Sequence, residues 1–457
     1  MQRVLEGCSL FVGLGCVVTL VVSLLVSGQN GYDQEWLLYA AERVLAGVKL
    51  YGPQLIEVNP PLVVWFSTLP VMLSNLVHIN VLLMLRLLVL SMIAGNIAWI
   101  GHLLRRLRPD MALVVRILLL CSVAVVELWI EPGNFGQREH LLVILLLPYI
   151  LAAALNARRS LSRTEYIALG FVAGLAVCFK PQQVLVVVFL ELALALRNRS
   201  LRRAISPEFL TLLLTGCGYI GLIFFVSPIY FKQIVPVLLN TYWAFGAYSA
   251  GWLAIHNHVK LDILLPVVFL VSLLYRKLRI STVPLVLAVC SYGALFAFLV
   301  QHTGWAYQRY PNAAFLELAA FWLLIEAVPS SIAAISDRRT ASVITAIAAC
   351  FVVLLPIGLV ARQVRGYSSA PAEENAVQKE LNRLPPKTAV YVFSTSISAF
   401  SDVFERHLIW GSRFAHLSMI PAIIQNQLGP TSASTPFKHL SPETVASLAA
   451  TQRADTA

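Results

Sequence analysis

The sequence predicts a mainly α-helical, polytopic membrane protein with about 11 transmembrane helices. Only 12% of the 457 residues are charged and 58% are hydrophobic, whereas a soluble domain carries about 25% charged residues. Apolar runs of about 20 residues recur along the chain, which is the length that an α-helix needs to cross a bilayer. Basic residues gather in short clusters between these runs, as the positive-inside rule expects of cytoplasmic loops.

The apolar runs give the predicted spans in order. The first has no small-residue cleavage site after it, so it is expected to stay as a membrane helix. Basic clusters lie at 105–108, 158–163, 197–203, 276–279 and 338–339. Two crossings between successive clusters keep all five, and the N-terminus, on the cytoplasmic side. The predicted spans are 8–27, 81–103, 111–130, 140–157, 164–180, 183–197, 208–227, 261–275, 281–300, 312–329 and 341–361.

One apolar run, 60–77, cannot be a span in this topology, because only one crossing fits between the first span and the basic cluster 105–108. It begins with two prolines and contains Pro70, which removes a helix hydrogen bond and would kink a spanning helix. We therefore expect the loop 28–79 to remain outside and to lie along the membrane surface. It should hold an amphipathic helix near 33–47 and a second interfacial helix near 62–76.

The chain is predicted to divide into a transmembrane domain, 1–361, and a small α/β domain on the outer face, 362–457. The second part includes a strand-like run, AVYVFST at 389–395. About the last 25 residues are rich in Ser, Thr and Ala, and they are expected to be partly disordered.

Charged residues in the outside loops indicate a cavity at the outer face. They are Asp33, Glu131, Arg138, Glu139 and Lys180. Plainer roles exist for several of them: Asp33 would cap a helix, and Lys180 would extend its amine to the interface. Trp and Tyr in the same loops would in part form the usual aromatic belt.

The first hundred residues follow the order of a known family. An outside Asp follows the first span, a Tyr-Gly-Pro turn comes next, and a Pro-Pro pair opens the interfacial helix before an Arg-bearing second crossing. The sequence resembles the GT-C superfamily of membrane glycosyltransferases, such as protein O-mannosyltransferases and bacterial lipid A aminoarabinose transferases. The matching residues are Asp33, Tyr39, Ala40, Gly47, Tyr51, Pro60, Pro61, Trp65 and Arg86.

This chain departs from the resemblance at two positions. Some relatives have a Lys before the Pro of the interfacial helix, where it contacts the lipid phosphate. Asn59 stands at that place here, with Glu57 two residues earlier. The second acidic residue of the site is left open between Glu131 and Glu139.

The resemblance implies an inverting hexosyl or pentosyl transferase. It would move a sugar from a polyprenyl-phosphate donor to an acceptor hydroxyl on the outer face, with Asp33 as the general base. Arg138, Lys180 and Arg309 are expected to bind the donor phosphate, because fixed cations stabilise a leaving anion. The sugar and acceptor cavity is expected to contain Glu35, Trp36, Tyr51, Glu57, Glu131, Glu139, Trp305 and Tyr307.

Two other functions remain open from sequence. The first is a transporter or flippase of a lipid-linked saccharide, although no internal repeat of the transporter kind is evident. The second is a non-catalytic membrane protein of envelope assembly, which would tolerate loss of Asp33.

The expected partners are the polyprenyl-phosphate sugar donor, a glycan, lipid or protein acceptor, and membrane lipids. The net charge of +11 comes with no basic-aromatic module, so nucleic acid is not an expected partner. No protein-bound metal site and no cofactor is predicted, with a divalent cation left open. The expected location is a bacterial inner membrane, with the N-terminus cytoplasmic and the C-terminal domain periplasmic or extracellular.

Overall fold

The computed structural model describes residues 2–26, 31–155, 161–200, 206–246, 248–256, 267, 282–334, 376–393, 400–429 and 437–456. Within these residues the protein is mainly α-helical, as predicted, and its apolar helices make it a polytopic membrane protein. The membrane part contains α1 (Gln2–Val26), α2 (Tyr32–Leu45), α3 (Leu62–Val77), α4 (Val81–Leu107), α5 (Leu113–Leu128), α6 (Arg138–Ala154), α7 (Arg163–Phe179), α8 (Val184–Asn198), α9 (Pro207–Val226), α10 (Val235–Thr241), α11 (Ala250–His256), α12 (Val283–Gln301) and α13 (Tyr310–Ala334).

Nine of the eleven predicted spans coincide with helices, namely α1, α4 to α9, α12 and α13. The other two, 261–275 and 341–361, lie outside the described residues except for the single position 267. Four stretches in the described part are long and apolar enough to cross a bilayer: α4, α9, α12 and the stretch Pro181–Asn198, which contains α8. The first helix begins before the apolar run 8–27, at Gln2.

The two helices predicted for the first outside loop are present as α2 and α3, and they pack against each other. Pro70 lies inside α3, and His78 ends that helix in a left-handed conformation. Asn80 then starts α4, since its side-chain oxygen accepts hydrogen bonds from the backbone N–H groups of Leu82 and Leu83.

Close helix contacts in the membrane part depend on small residues. A Cβ on Gly170 would run into the backbone carbonyl of Glu208 on α9, and one on Gly174 would lie 2.5 Å from the Cβ of Thr215. The seam between α7 and α9 therefore requires glycine on α7. Such close backbone approach is the usual way in which membrane helices associate.

The C-terminal region is a small α/β module, as predicted. It contains α14 (Ala376–Asn382), α15 (Phe400–Glu405), α16 (Ile420–Leu428) and α17 (Pro442–Thr456), with strands β1 (Ala389–Val390) and β2 (Ile409–Trp410). The strands pair in parallel, with Ala389 opposite Ile409. Within 389–393, the described part of the predicted run 389–395, the strand covers only Ala389 and Val390, because these two residues pair with β2.

The expectation of disorder at the end of the chain is wrong for 442–456, which forms α17. Ala-rich sequence favours helix, and this helix buries Leu448 and Gln452 in the module. The module contacts the membrane part directly: the backbone N–H of Trp410 donates to Tyr39 Oη at 3.1 Å. The N–H of Ile56 donates to the carbonyl of Arg413 at 2.7 Å.

Candidate functional site

A cavity of about 940 Å³ lies where the predicted outside loops meet. Each of the five loop segments 28–79, 131–140, 180–183, 228–260 and 301–311 contributes to its lining, and so does the C-terminal module. The positions of the basic clusters predict that these loops, which alternate with the clusters along the chain, lie on one face of the membrane. Their meeting at one cavity supports that grouping.

Asp33 enters this cavity from the first turn of α2. The start of α2 is pressed against the 131–138 loop, since a Cβ on Gly31 would overlap the carbonyl oxygen of Gly133. The Gln34 side chain ties the same two segments by donating to the carbonyl of Phe135. Burial raises the pKa of the Asp33 carboxyl above its usual range, while the charges of Arg138 and Lys180 oppose that shift.

Two cations line the cavity near Asp33. Arg138 is the first residue of α6, and Lys180 directly follows α7, which ends before Pro181. Both side chains are buried, at 9% and 4% exposed. Lys180 Nζ lies 2.7 Å from Glu139 Oε1, so a buried carboxylate partly compensates its charge, whereas Arg138 faces the cavity beside it.

The Glu57 carboxylate organises the wall next to Arg138. It is 2% exposed and accepts hydrogen bonds from Trp36 Nε1, Asn59 Nδ2 and, at 2.8 Å, the Asn59 backbone N–H. Because the amide nitrogen of Asn59 is turned to Glu57, its Oδ1 faces Arg138 and accepts from Nη1. Burial raises the pKa of Glu57, opposed first by the Asn59 N–H.

An aromatic group forms another wall of the cavity. Trp305 and Tyr307 stack with ring centroids 5.9 Å apart, and Trp305 packs edge-on against Tyr242 at 6.3 Å. Phe245 lies 6.3 Å from Trp305. Burial raises the pKa of Tyr307 far above its usual value, with the negative charge of Asp33 adding to the shift. Tyr307 is therefore a neutral hydroxyl close to the carboxylate.

The C-terminal module supplies a further wall of the cavity through Phe414, Ala415, His416 and Ser418. The His416 ring lies 6.0 Å from Phe245, which links the module to the aromatic group. Burial lowers the pKa of His416 to about 4, so its imidazole is neutral at physiological pH. Sequence reasoning did not find these residues, since no local pattern places 414–418 near Asp33.

The structure distributes the predicted site residues as follows. Those that line the cavity are Asp33, Trp36, Glu57, Glu131, Arg138, Lys180, Trp305 and Tyr307. Glu139 touches the site through Lys180. Glu35, Tyr51 and Arg309 are buried but do not line the cavity; Tyr51 instead donates to the carbonyl of Asn59 at 2.6 Å.

Glu131 and Glu139, the two candidates for the second acidic residue of the site, lie at different depths. Glu131 is exposed at the cavity, and Glu139 is buried beneath it. In the described part of the chain no group of three or more His, Cys, Asp or Glu side chains is placed to hold a metal ion.

Comparison with known proteins gives a match at the level of structure. No protein-family model matches the chain, and no curated protein matches it in sequence. The crystal structure of ArnT from Cupriavidus metallidurans, bound to undecaprenyl phosphate, superposes with a TM-score of 0.57 at 14% identity. The match covers 97% of this chain and 95% of that chain. The present chain thus shares its fold with this ArnT structure over nearly its whole length.

Proposed function

We propose that this chain is a glycosyltransferase that moves a sugar from a polyprenyl phosphate to an acceptor hydroxyl in the cavity. The observation that carries the proposal is the placement of the Asp33 carboxylate and of two cations, Arg138 and Lys180, in a single cavity. Undecaprenyl phosphate is bound in the ArnT structure of similar fold, which supports a polyprenyl-linked donor here.

Arg138 and Lys180 are proposed to hold the donor phosphate. Arg138 Nη1 donates a hydrogen bond to Asn59. A guanidinium has five N–H groups, so further donors remain for phosphate oxygens. Its planar fork suits a phosphate better than a single ammonium does. Because Glu139 partly compensates Lys180, Arg138 is expected to contribute more to binding.

The carrier lipid is proposed to leave the cavity along α10 and the π-helical turn before it. This wall is apolar, with Val235, Val237, Leu238 and Leu239 in the lining. Leu239 is 67% exposed, so the apolar wall continues to the outside of the protein, where a polyprenyl chain would meet the bilayer.

The proposed reaction is a direct displacement. The acceptor oxygen attacks the anomeric carbon, a new C–O bond forms, and the bond from that carbon to the phosphate oxygen breaks. The bonding electrons leave with the polyprenyl phosphate, whose charge Arg138 and Lys180 stabilise. The acceptor proton passes to the Asp33 carboxylate. A single displacement inverts the anomeric carbon.

A transfer assay in proteoliposomes tests this function. Undecaprenyl-phosphate sugars, a panel of labelled hexoses and pentoses, are supplied with bacterial membranes as the acceptor source. Arg138→Ala and Lys180→Ala should weaken donor binding, while Asp110→Asn, an exposed pair partner of Arg108, serves as control. A protein that moves the lipid across the bilayer without transfer would be a flippase. A protein that binds no undecaprenyl phosphate would be neither.

The sidedness of the cavity is part of the proposal. The cavity and the domain 362–457 are proposed to face the periplasm or exterior of a bacterial inner membrane. Glu131 is exposed at the cavity, so a cysteine placed there should react with an impermeant maleimide in whole cells. The unsubstituted protein gives the background from its own seven cysteines. Reaction only in inside-out vesicles would reverse the assignment.

A further inference from the structure

The part of the cavity wall that comes from the module is held by the last helix of the chain. Asp455 on α17 is buried, and Ser412 Oγ donates to its Oδ2 at 2.8 Å. The backbone N–H of Arg413 donates to Asp455 Oδ1 at 3.1 Å. One carboxylate thus fixes the two residues that lead directly into the lining segment 414–418.

The same helix fixes the far end of that segment. The backbone N–H of Met419 donates to Gln452 Oε1 at 3.4 Å, and Gln452 Nε2 lies 3.4 Å from Asp455 Oδ2. The lining segment is therefore anchored at both ends by side chains one turn apart on α17. Neither anchor residue lines the cavity.

This arrangement also keeps a charge away from the cavity. Arg413 Nε lies 3.6 Å from Asp455 Oδ1, and its Nη2 donates to the carbonyl of Thr451 at 3.4 Å. Arg413 is absent from the lining, and the module presents Phe414, Ala415, His416 and Ser418 instead.

The part of the cavity wall that the module contributes is thus uncharged, and two of its four side chains, Phe414 and His416, are aromatic. The imidazole of His416 is neutral and lies 6.0 Å from the Phe245 ring. Ser418 Oγ is 3.3 Å from His416 Nδ1. Within the described part of the chain His416 Nε2 has no recorded hydrogen-bond partner, and the ring lines the cavity, so this nitrogen is available to a ligand hydroxyl. A mostly apolar wall with a few fixed polar groups is typical of a small-molecule site, and this wall offers no charge to pair with an anion.

We propose that residues 414–418 form the acceptor subsite, that the acceptor presents an uncharged sugar ring to it, and that Asp455 is the positioning residue of this subsite. The proposal rests on the glycosyltransferase function above. Arg138 and Lys180 are assigned to the donor phosphate, and the described residues of the module add no further cation to the lining. A phosphorylated acceptor would meet an aromatic wall with no matching charge.

The test separates the acceptor subsite from the donor site. p-Nitrophenyl glucoside and its 6-phosphate serve as neutral and anionic acceptor probes, with the undecaprenyl-phosphate sugar panel as donors. We expect transfer to the neutral probe and at least tenfold poorer use of the phosphate. Asp455→Asn and His416→Ala should raise the KM for the neutral acceptor at least tenfold with kcat lowered much less. The Kd for undecaprenyl phosphate should stay the same.

Each contrary result has a distinct meaning. Preference for the phosphorylated probe overturns the acceptor class. An Asp455→Asn protein with lowered kcat, weakened undecaprenyl phosphate binding and unchanged acceptor KM would show a structural role only, and the proposal fails. If Asp455→Asn does not fold, Ser412→Ala removes one of its bonds and carries the same test. A wild-type protein that binds no undecaprenyl phosphate defeats the proposed function itself, and this inference with it.

Discussion

Replacement of Asp33 by Asn removes the proposed proton acceptor and little else. The side chain keeps its size and stays in the first turn of α2, where Asn is also accepted near a helix start. The lost interaction of a carboxylate with the helix dipole costs about 0.3–1 kcal/mol. The variant should therefore fold and insert as the wild type does.

The expected loss of transfer is about 10²- to 10⁴-fold, which is the usual contribution of a general base. At about 1.36 kcal/mol for each tenfold change, the barrier rises by about 3–5 kcal/mol. Donor binding should persist, because Arg138 and Lys180 still line the cavity. The loss should thus appear in kcat, with the Kd for undecaprenyl phosphate little changed.

The pH profile gives a second readout of the same carboxylate. Burial raises the pKa of Asp33, and the base acts only when deprotonated, so kcat/KM should fall as the pH drops through this raised pKa. Glu139 adds to the raised pKa of Asp33. Glu139→Gln should therefore move the acid limb to lower pH, and in Asp33→Asn the limb should disappear.

Initial rates of transfer in proteoliposomes, measured across pH with matched protein amounts, check both readouts. Thermal unfolding in detergent confirms that each variant is folded. Transfer within a few-fold of wild type in Asp33→Asn would refute the role of this residue. An acid limb that persists in that variant would assign the titration to another group.

Further predictions concern binding and stability. Lys180→Gln should weaken undecaprenyl phosphate binding, as measured by native mass spectrometry, and its effect should become smaller at high salt because charge screening weakens the lost attraction. Trp36→Phe removes the N–H that Glu57 accepts, which should lower unfolding free energy by about 1–3 kcal/mol in a denaturation assay; an unchanged midpoint would argue against this bond. Gly170→Ala should destabilise the α7–α9 seam and lower the thermal midpoint, whereas Gly218→Ala, with open space around it, should not.

The hydrophobic runs and basic clusters were sufficient to predict most of the membrane part. Length and apolar composition define a spanning helix because the bilayer imposes both. In the sequence, Pro70 and the order of the basic clusters predict that α3 does not cross the bilayer, and its 16 residues are fewer than the about 20 that a crossing needs. The same order of basic clusters predicts that the loops lining the cavity share one face of the membrane. For this reason the sequence could predict that Asp33, Arg138 and Lys180 belong to one site.

The direction of individual side chains could not be predicted. Arg309 lies in the same 3₁₀ turn as Tyr307, yet only Tyr307 lines the cavity, since residues two apart in such a turn point different ways. The bond from Arg138 to Asn59 joins positions 79 apart. No local periodicity predicts a contact between residues so far apart in sequence. The place of His416 in the cavity is unpredictable for the same reason.

The contact between α2 and the module has a consequence for biogenesis. Tyr39 and Trp410 are 371 positions apart, and every described span of the chain except α1 lies between them. During synthesis the segment that carries Asp33 is inserted early, and the wall at 414–418 is made only after those spans. The cavity therefore lacks the wall formed by 414–418 until the C-terminal module has been made, long after Asp33 is in place.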